Sequence, residues 1–220
     1  MVRMSAEERR AALVEAALAV MKRQGVANTS TRDIVAEAGM QIGVFHYCFE
    51  SKEQLIREVM KTINERNYSA VGAALEDVEP GAPFIRAAVE AYWLHIQRDP
   101  NEHLLTYELT THALRNLRRD GEEDTADVVS QVQRRTDVPD EMDAAVVQYR
   151  SYLFGMEALL MMLADVCQTT WTTPVPQLAR VVLATIEGIT LQWLVDGEDV
   201  CAQQSLRHLA DILARDANLV

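Results

Sequence analysis

The residues between Ser30 and Gln54 read STRDIVAEAGMQIGVFHYCFESKEQ, and the chain's chemistry concentrates there. Ile34, Val35, Phe45 and Phe49 are spaced to clamp two short helices together. That leaves Gln41, Ile42, Gly43, Val44 and Tyr47 on a second face, suited to base edges and close backbone approach. Catalytic patterns are missing by comparison. None of the five histidines, His46, His95, His103, His112 and His208, has a carboxylate three residues earlier, so the Glu-x-x-His pairs of a di-iron bundle fail. No Ser-His-Asp or nucleophile-elbow pattern occurs. Cys48, Cys167 and Cys201 are far apart and outside any CxxC, which reads as reduced thiols, not as disulfides or zinc ligands. The expectation is a protein that is not an enzyme and needs no cofactor or metal.

Helices must position that segment. Pro80, Pro83, Pro100, Pro139, Pro174 and Pro176 all fall between stretches whose apolar residues recur every three to four positions. The spacing predicts helices over about 6–24, 31–39, 42–48, 52–76, 83–98, 101–118, 141–168, 175–196 and 200–217. Ser5 with Glu8, Ser30 with Asp33, and Ser51 with Gln54 supply three capping signals. Gly39 permits the tight turn of a helix-turn-helix. The acidic stretch 118–143 is read as peripheral to the core, with a short solvated helix over 126–135. With nine Gly and six Pro in 220 residues, a many-turned β fold is disfavoured. The fold class is all-α: an N-terminal three-helix unit over 1–50, then a larger helical bundle over 51–220 entered through one long helix.

Charge sharpens the division. The chain carries −12, yet residues 1–66 hold ten Lys/Arg against nine Asp/Glu. An acidic body repels nucleic acid, so only this balanced segment is suited to approach it. The longest uninterrupted apolar run, Ala158 to Ala164, is far short of a membrane span. A charged stretch, Glu7 to Arg10, stands where a signal peptide would need apolar residues. Both readings point to a cytoplasmic protein without a membrane partner.

The segment from Thr29 to Leu55 resembles the DNA-binding domain of TetR-family transcriptional regulators. The resemblance is carried by Arg32-Asp33-Ile34, Ala38-Gly39, Gly43, Phe49, Ser51-Lys52-Glu53 and Leu55. It implies phosphate contacts from Thr31, His46, Tyr47 and Lys52. It also implies base-edge or close-approach roles for Arg32, Gln41, Ile42, Gly43 and Val44. The sequence departs from the family in three places: Ile42 replaces a usual Lys or Arg, His46 a commoner Tyr, and Cys48 a His or Tyr. An apolar side chain at 42 suits a thymine methyl in place of a phosphate or guanine.

The bundle offers a candidate pocket. Tyr92, Tyr107, Thr111, Tyr152 and Met156 form an apolar and aromatic wall, with Glu108 and His112 one turn apart on the same helix. That pair either satisfies itself or leaves a carboxylate for a hydrophobic cation. The expected effector is an apolar, ring-bearing molecule of drug size. The helix over 83–98 reads as apolar on nearly every face. The last two helices, 175–196 and 200–217, carry more apolar surface than one chain covers and predict a homodimer across a two-fold. The functional expectation is a repressor, released from a pseudo-palindromic operator in double-stranded DNA by this effector. The alternatives are an activator, or a helix-turn-helix module for protein contact without an inducing ligand.

Overall fold

The computed structural model describes residues 4–119 and 144–219, and the helix expected over 126–135 lies outside the described residues. All regular structure among the described residues is helical, as expected. The helices are α1 (Ala6–Gln24), α2 (Thr31–Glu37), α3 (Ile42–Cys48), α4 (Lys52–Ala74), α5 (Ala82–Arg98), α6 (Pro100–Arg119), α7 (Ala144–Val166), α8 (Val175–Asp196) and α9 (Asp199–Asp216). The helix starts follow the caps. Ser5 and Ser30 each accept from the backbone three residues on, and Glu8 and Asp33 return the bond to the cap residue. At α4 only half of the box forms: Gln54 N–H donates to Ser51, but the Gln54 carbonyl takes Glu50 N–H instead.

The chain divides into two compact units. The first joins Met1–Thr62 to Leu104–Tyr149, and the second joins Ile63–His103 to Arg150–Val220. The division does not follow the expected break at residue 50, because the chain returns to the first unit after the second has begun. In the first unit, Leu13, Ala17, Met21, Ile34, Phe45, Phe49 and Leu55 are sealed from solvent. In the second, α5, α8 and α9 share a core built on Ile85, Ile96, Val182, Ile186, Leu206 and Leu213. Tyr68 of α4 packs against Gly155 of α7 and donates from its hydroxyl to the Tyr152 carbonyl at 2.9 Å. A side chain at 155 would sit 2.6 Å from the Tyr68 ring carbon Cζ, so glycine is required for that approach.

Two expectations need correction. α5 is not apolar all round, since Pro83, Arg86, Glu90, Leu94 and Arg98 form an exposed stripe every three to four residues. α8 is long and apolar enough, by length and composition, to cross a membrane. The uninterrupted run missed it because an 18-residue average tolerates charges that end a run. One face of α8 lies in the second unit's core through Leu178, Ala179, Val182 and Ile186.

Candidate nucleic-acid interface

The helix-turn-helix is α2 and α3. Its turn takes Gly39 to a φ of +63°, which residues with a Cβ rarely adopt. α3 has only seven residues, too few to be stable alone, so its conformation rests on what lies behind it. Behind it are Phe45 and Phe49, both buried, with ring centroids 5.7 Å apart. Phe45 anchors the middle of α3 and Phe49 the chain just beyond it.

That anchoring turns the other face outward. Arg32, Gln41, Ile42, Gly43, His46 and Tyr47 are exposed, Tyr47 to 70%. Val44 is half-buried between the two faces. Gln41 is the N-cap residue of α3, yet its side chain makes no capping bond. Its amide is therefore left for an outside partner. An added Cβ at Gly43 would meet nothing within 4 Å, so an approaching surface has open access to the backbone there. Arg32 has no partner among the described residues, whereas Arg23 is held by Glu37 at 2.7 Å. One guanidinium, one side-chain amide, an imidazole, a phenol and an apolar side chain thus share one surface. This set can read base edges in a major groove and bond phosphates beside it.

Two of the predicted contact residues are also structural. Thr31 is half-buried as the first residue of α2. Lys52 donates to the carbonyls of Thr29 at 2.5 Å and Val26 at 3.1 Å, tying the α1–α2 loop to the start of α4. Burial lowers the Lys52 pKa, against the opposing pull of Glu53 and Asp33. An ammonium has three donors, so at most one is left for a phosphate. Lys52, expected as a phosphate contact, thus also has a structural role, with two of its donors held by the loop before α2.

Sequence reading missed Arg10. Its guanidinium donates to the Cys48 carbonyl at 2.6 Å and to Glu58 at 2.8 Å, and lies 4.3 Å from the centre of the Phe49 ring. It joins α1, the end of α3 and α4 in a single set of contacts. No spacing signal reveals it, because the partners stand 38 to 48 residues away.

The seven expected ligand residues do not fall in one unit. Tyr107, Glu108, Thr111 and His112 belong to the first, and Tyr92, Tyr152 and Met156 to the second. Glu108 is corrected most clearly. Its carboxylate accepts the Val26 N–H at 3.0 Å and crowds Gly25, where a Cβ would come within 3.1 Å of an oxygen. It secures the loop before α2. In the second unit Met156 is core, Tyr152 packs in a small cluster with Leu153 and Leu183, and Tyr92 is half-buried against the core.

Comparison with known proteins agrees with this geometry. Residues 13–59 match the model of bacterial regulatory proteins of the tetR family. The chain is 22% identical over 210 residues to the HTH-type nicotine-responsive transcriptional repressor HdnoR of Paenarthrobacter nicotinovorans, covering 96% of each. Among solved structures it is similar to the multidrug binding protein EbrR complexed with imidazole, with a TM-score of 0.60 and 23% identity over 91% of this chain and 94% of that one. It is also similar to the transcriptional regulator FadR of Bacillus subtilis in complex with stearoyl-CoA, with a TM-score of 0.61 and 12% identity over 93% and 97%. The N-terminal helix-turn-helix thus carries the match to the tetR family of bacterial regulatory proteins, and the all-helical body that follows has the fold of these solved regulators.

Proposed function

We propose that the chain is a dimeric repressor that binds a pseudo-palindromic operator and leaves it when a small apolar, ring-bearing effector binds. The observation that carries the DNA reading is the exposed face of Arg32, Gln41, Ile42, Gly43, His46 and Tyr47 above a buried Phe45. Arg32 and Gln41 read bases in this proposal, and Thr31, His46, Tyr47 and one Lys52 donor meet phosphate. Arg32→Ala and Gln41→Ala should each weaken operator binding by about 1–3 kcal/mol and relax preference at particular base pairs. Gel shifts on DNA from upstream of its own gene, with random DNA as competitor, measure this. Equal loss on operator and random DNA would refute a base-reading role.

Dimerisation is proposed through α8 and α9. On α8, Val181, Ala184, Gly188, Leu191 and Val195 recur at alternating spacings of three and four, the period of a helix-pairing seam. Val195 is 82% exposed, and Gly188 has open space where its side chain would be. On α9, Ile212 is exposed as well. Light scattering should give twice the 24.7 kDa of one chain, and Gly188→Glu should shift it toward the single-chain mass. A monomer at micromolar concentration would rule this interface out.

The effector reading rests on the second unit. Asn67, Trp93, His103 and Thr190 each hold a buried polar atom with no partner among the described residues, and all four lie there. A folded core rarely leaves such groups unpaired, so a bound molecule is a natural partner. Tyr92, Tyr152 and Met156 are the proposed apolar contacts. The nicotine-responsive relative supports a ring-bearing amine as the first class to try. Such compounds should raise the melting temperature and release the operator in the same gel shift, through a coupling of about 1–3 kcal/mol. Compounds that stabilise the protein without moving operator affinity would dissociate this unit from the switch.

A further inference from the structure

A cavity in the second unit lies apart from Tyr92, Tyr152 and Met156. It is a groove of about 220 Å³ between α5 and α9, within the second unit. Its floor is apolar: Val89, Trp93, Leu206 and Ala210 are all buried. The volume is below the roughly 300–1,000 Å³ of ordinary drug-sized pockets, so the occupant must be small.

The polar groups around it are committed unequally. Arg86 is held by Asp211 through two bonds at 2.8 and 3.1 Å, and Gln97 donates to Asp199 at 3.0 Å. Trp193, edge-to-face with Trp93 at 5.0 Å, donates its indole N–H to the same Asp199 at 2.7 Å. Trp93 is only 4% exposed, yet its own indole N–H has no partner among the described residues. Arg207 and Glu90, both exposed on the rim, also have none. Among the described residues the groove therefore holds one free cation, Arg207, and one free anion, Glu90, on its rim above an apolar floor.

We infer that this groove binds a free α-amino acid with an apolar or aromatic side chain. Its carboxylate meets Arg207, its ammonium meets Glu90, and its side chain lies on the floor. A zwitterion satisfies both rim charges at once, whereas a simple carboxylate or amine leaves one unpaired and repelled by the other. Of the groups named above for the effector, this groove shares only Trp93, as part of its floor; Tyr92, Tyr152 and Met156 do not line it.

Calorimetry on the full chain with L-phenylalanine, 3-phenylpropionate and phenethylamine tests the assignment, because the second probe lacks the amine and the third the carboxylate. L-phenylalanine should bind saturably and 3-phenylpropionate at least about tenfold more weakly, as expected for losing one charged hydrogen-bonded contact. Phenethylamine, a member of the proposed effector class, reports on this groove only through the part of its binding that Glu90→Gln removes. Arg207→Ala should weaken L-phenylalanine and 3-phenylpropionate but not phenethylamine. Glu90→Gln should weaken L-phenylalanine and phenethylamine but not 3-phenylpropionate. Both residues are exposed and unpartnered, so the variants should keep the wild-type melting temperature. No saturable binding of L-phenylalanine up to millimolar concentration, equal affinity for L-phenylalanine and 3-phenylpropionate, or affinities unmoved by either substitution would overturn it.

Discussion

Phe45→Ala should destabilise the first unit by about 3–5 kcal/mol, the cost of deleting a buried aromatic ring and leaving its cavity. Phe45 is 1% exposed and packs on Phe49, whose other neighbour is the Arg10 guanidinium. α3 has seven residues and cannot persist without that contact, so operator binding should fall with stability even though no base-reading residue has changed. Tyr47→Ala is the control from the opposite face. At 70% exposure Tyr47 should cost no more than about 0.5 kcal/mol in stability, whatever it does to DNA binding. Urea unfolding of the two variants beside wild type checks both. Similar stability losses would mean that the inward and outward faces of α3 have been misassigned.

The second large effect is a loss of stability in mild acid. His103 is buried at the start of α6, and burial, with a smaller push from the neighbouring His95, drives its pKa down to about 4, while Asp99 opposes this. The two imidazoles lie edge-to-face at 6.1 Å. The unfolded chain protonates His103 near 6.5, so between about pH 6.5 and 4 the unfolded state holds the extra proton. Stability should therefore be complete above pH 6.5 and fall as the pH drops toward 4, with this one group accounting for about 3 kcal/mol at the lower end. His103→Leu removes the titration and an Nε2 atom that has no partner among the described residues. The variant should match wild type near pH 7.5 and exceed it near pH 4.5 in urea midpoints. Parallel pH profiles for the two proteins would exclude His103 as the acid-sensitive group.

Helix positions were legible in the sequence for a local reason. Ser5, Ser30 and Ser51 act on backbone three residues away, and apolar residues every three to four positions mark a buried stripe wherever the helix later packs. The helix-turn-helix was legible as well, because Gly39, Phe45 and Phe49 constrain each other within a dozen residues. The exposed face of Arg32, Gln41, Ile42, Gly43 and Tyr47 follows from the same short-range geometry. What the tertiary structure alone decided lies at long range. Lys52 closes on Val26 and Thr29, Arg10 on Cys48 and Glu58, and Glu108 on Val26, across 23 to 82 residues. Periodicity gives the inward face of each helix but not its neighbour, so α5 read as wholly buried until its partner α9 left Arg86, Glu90 and Leu94 outside. The cavity between them, and the orphaned Trp93 N–H beside it, exist only because two helices far apart in sequence pack with a gap. No local pattern of residue types encodes a gap.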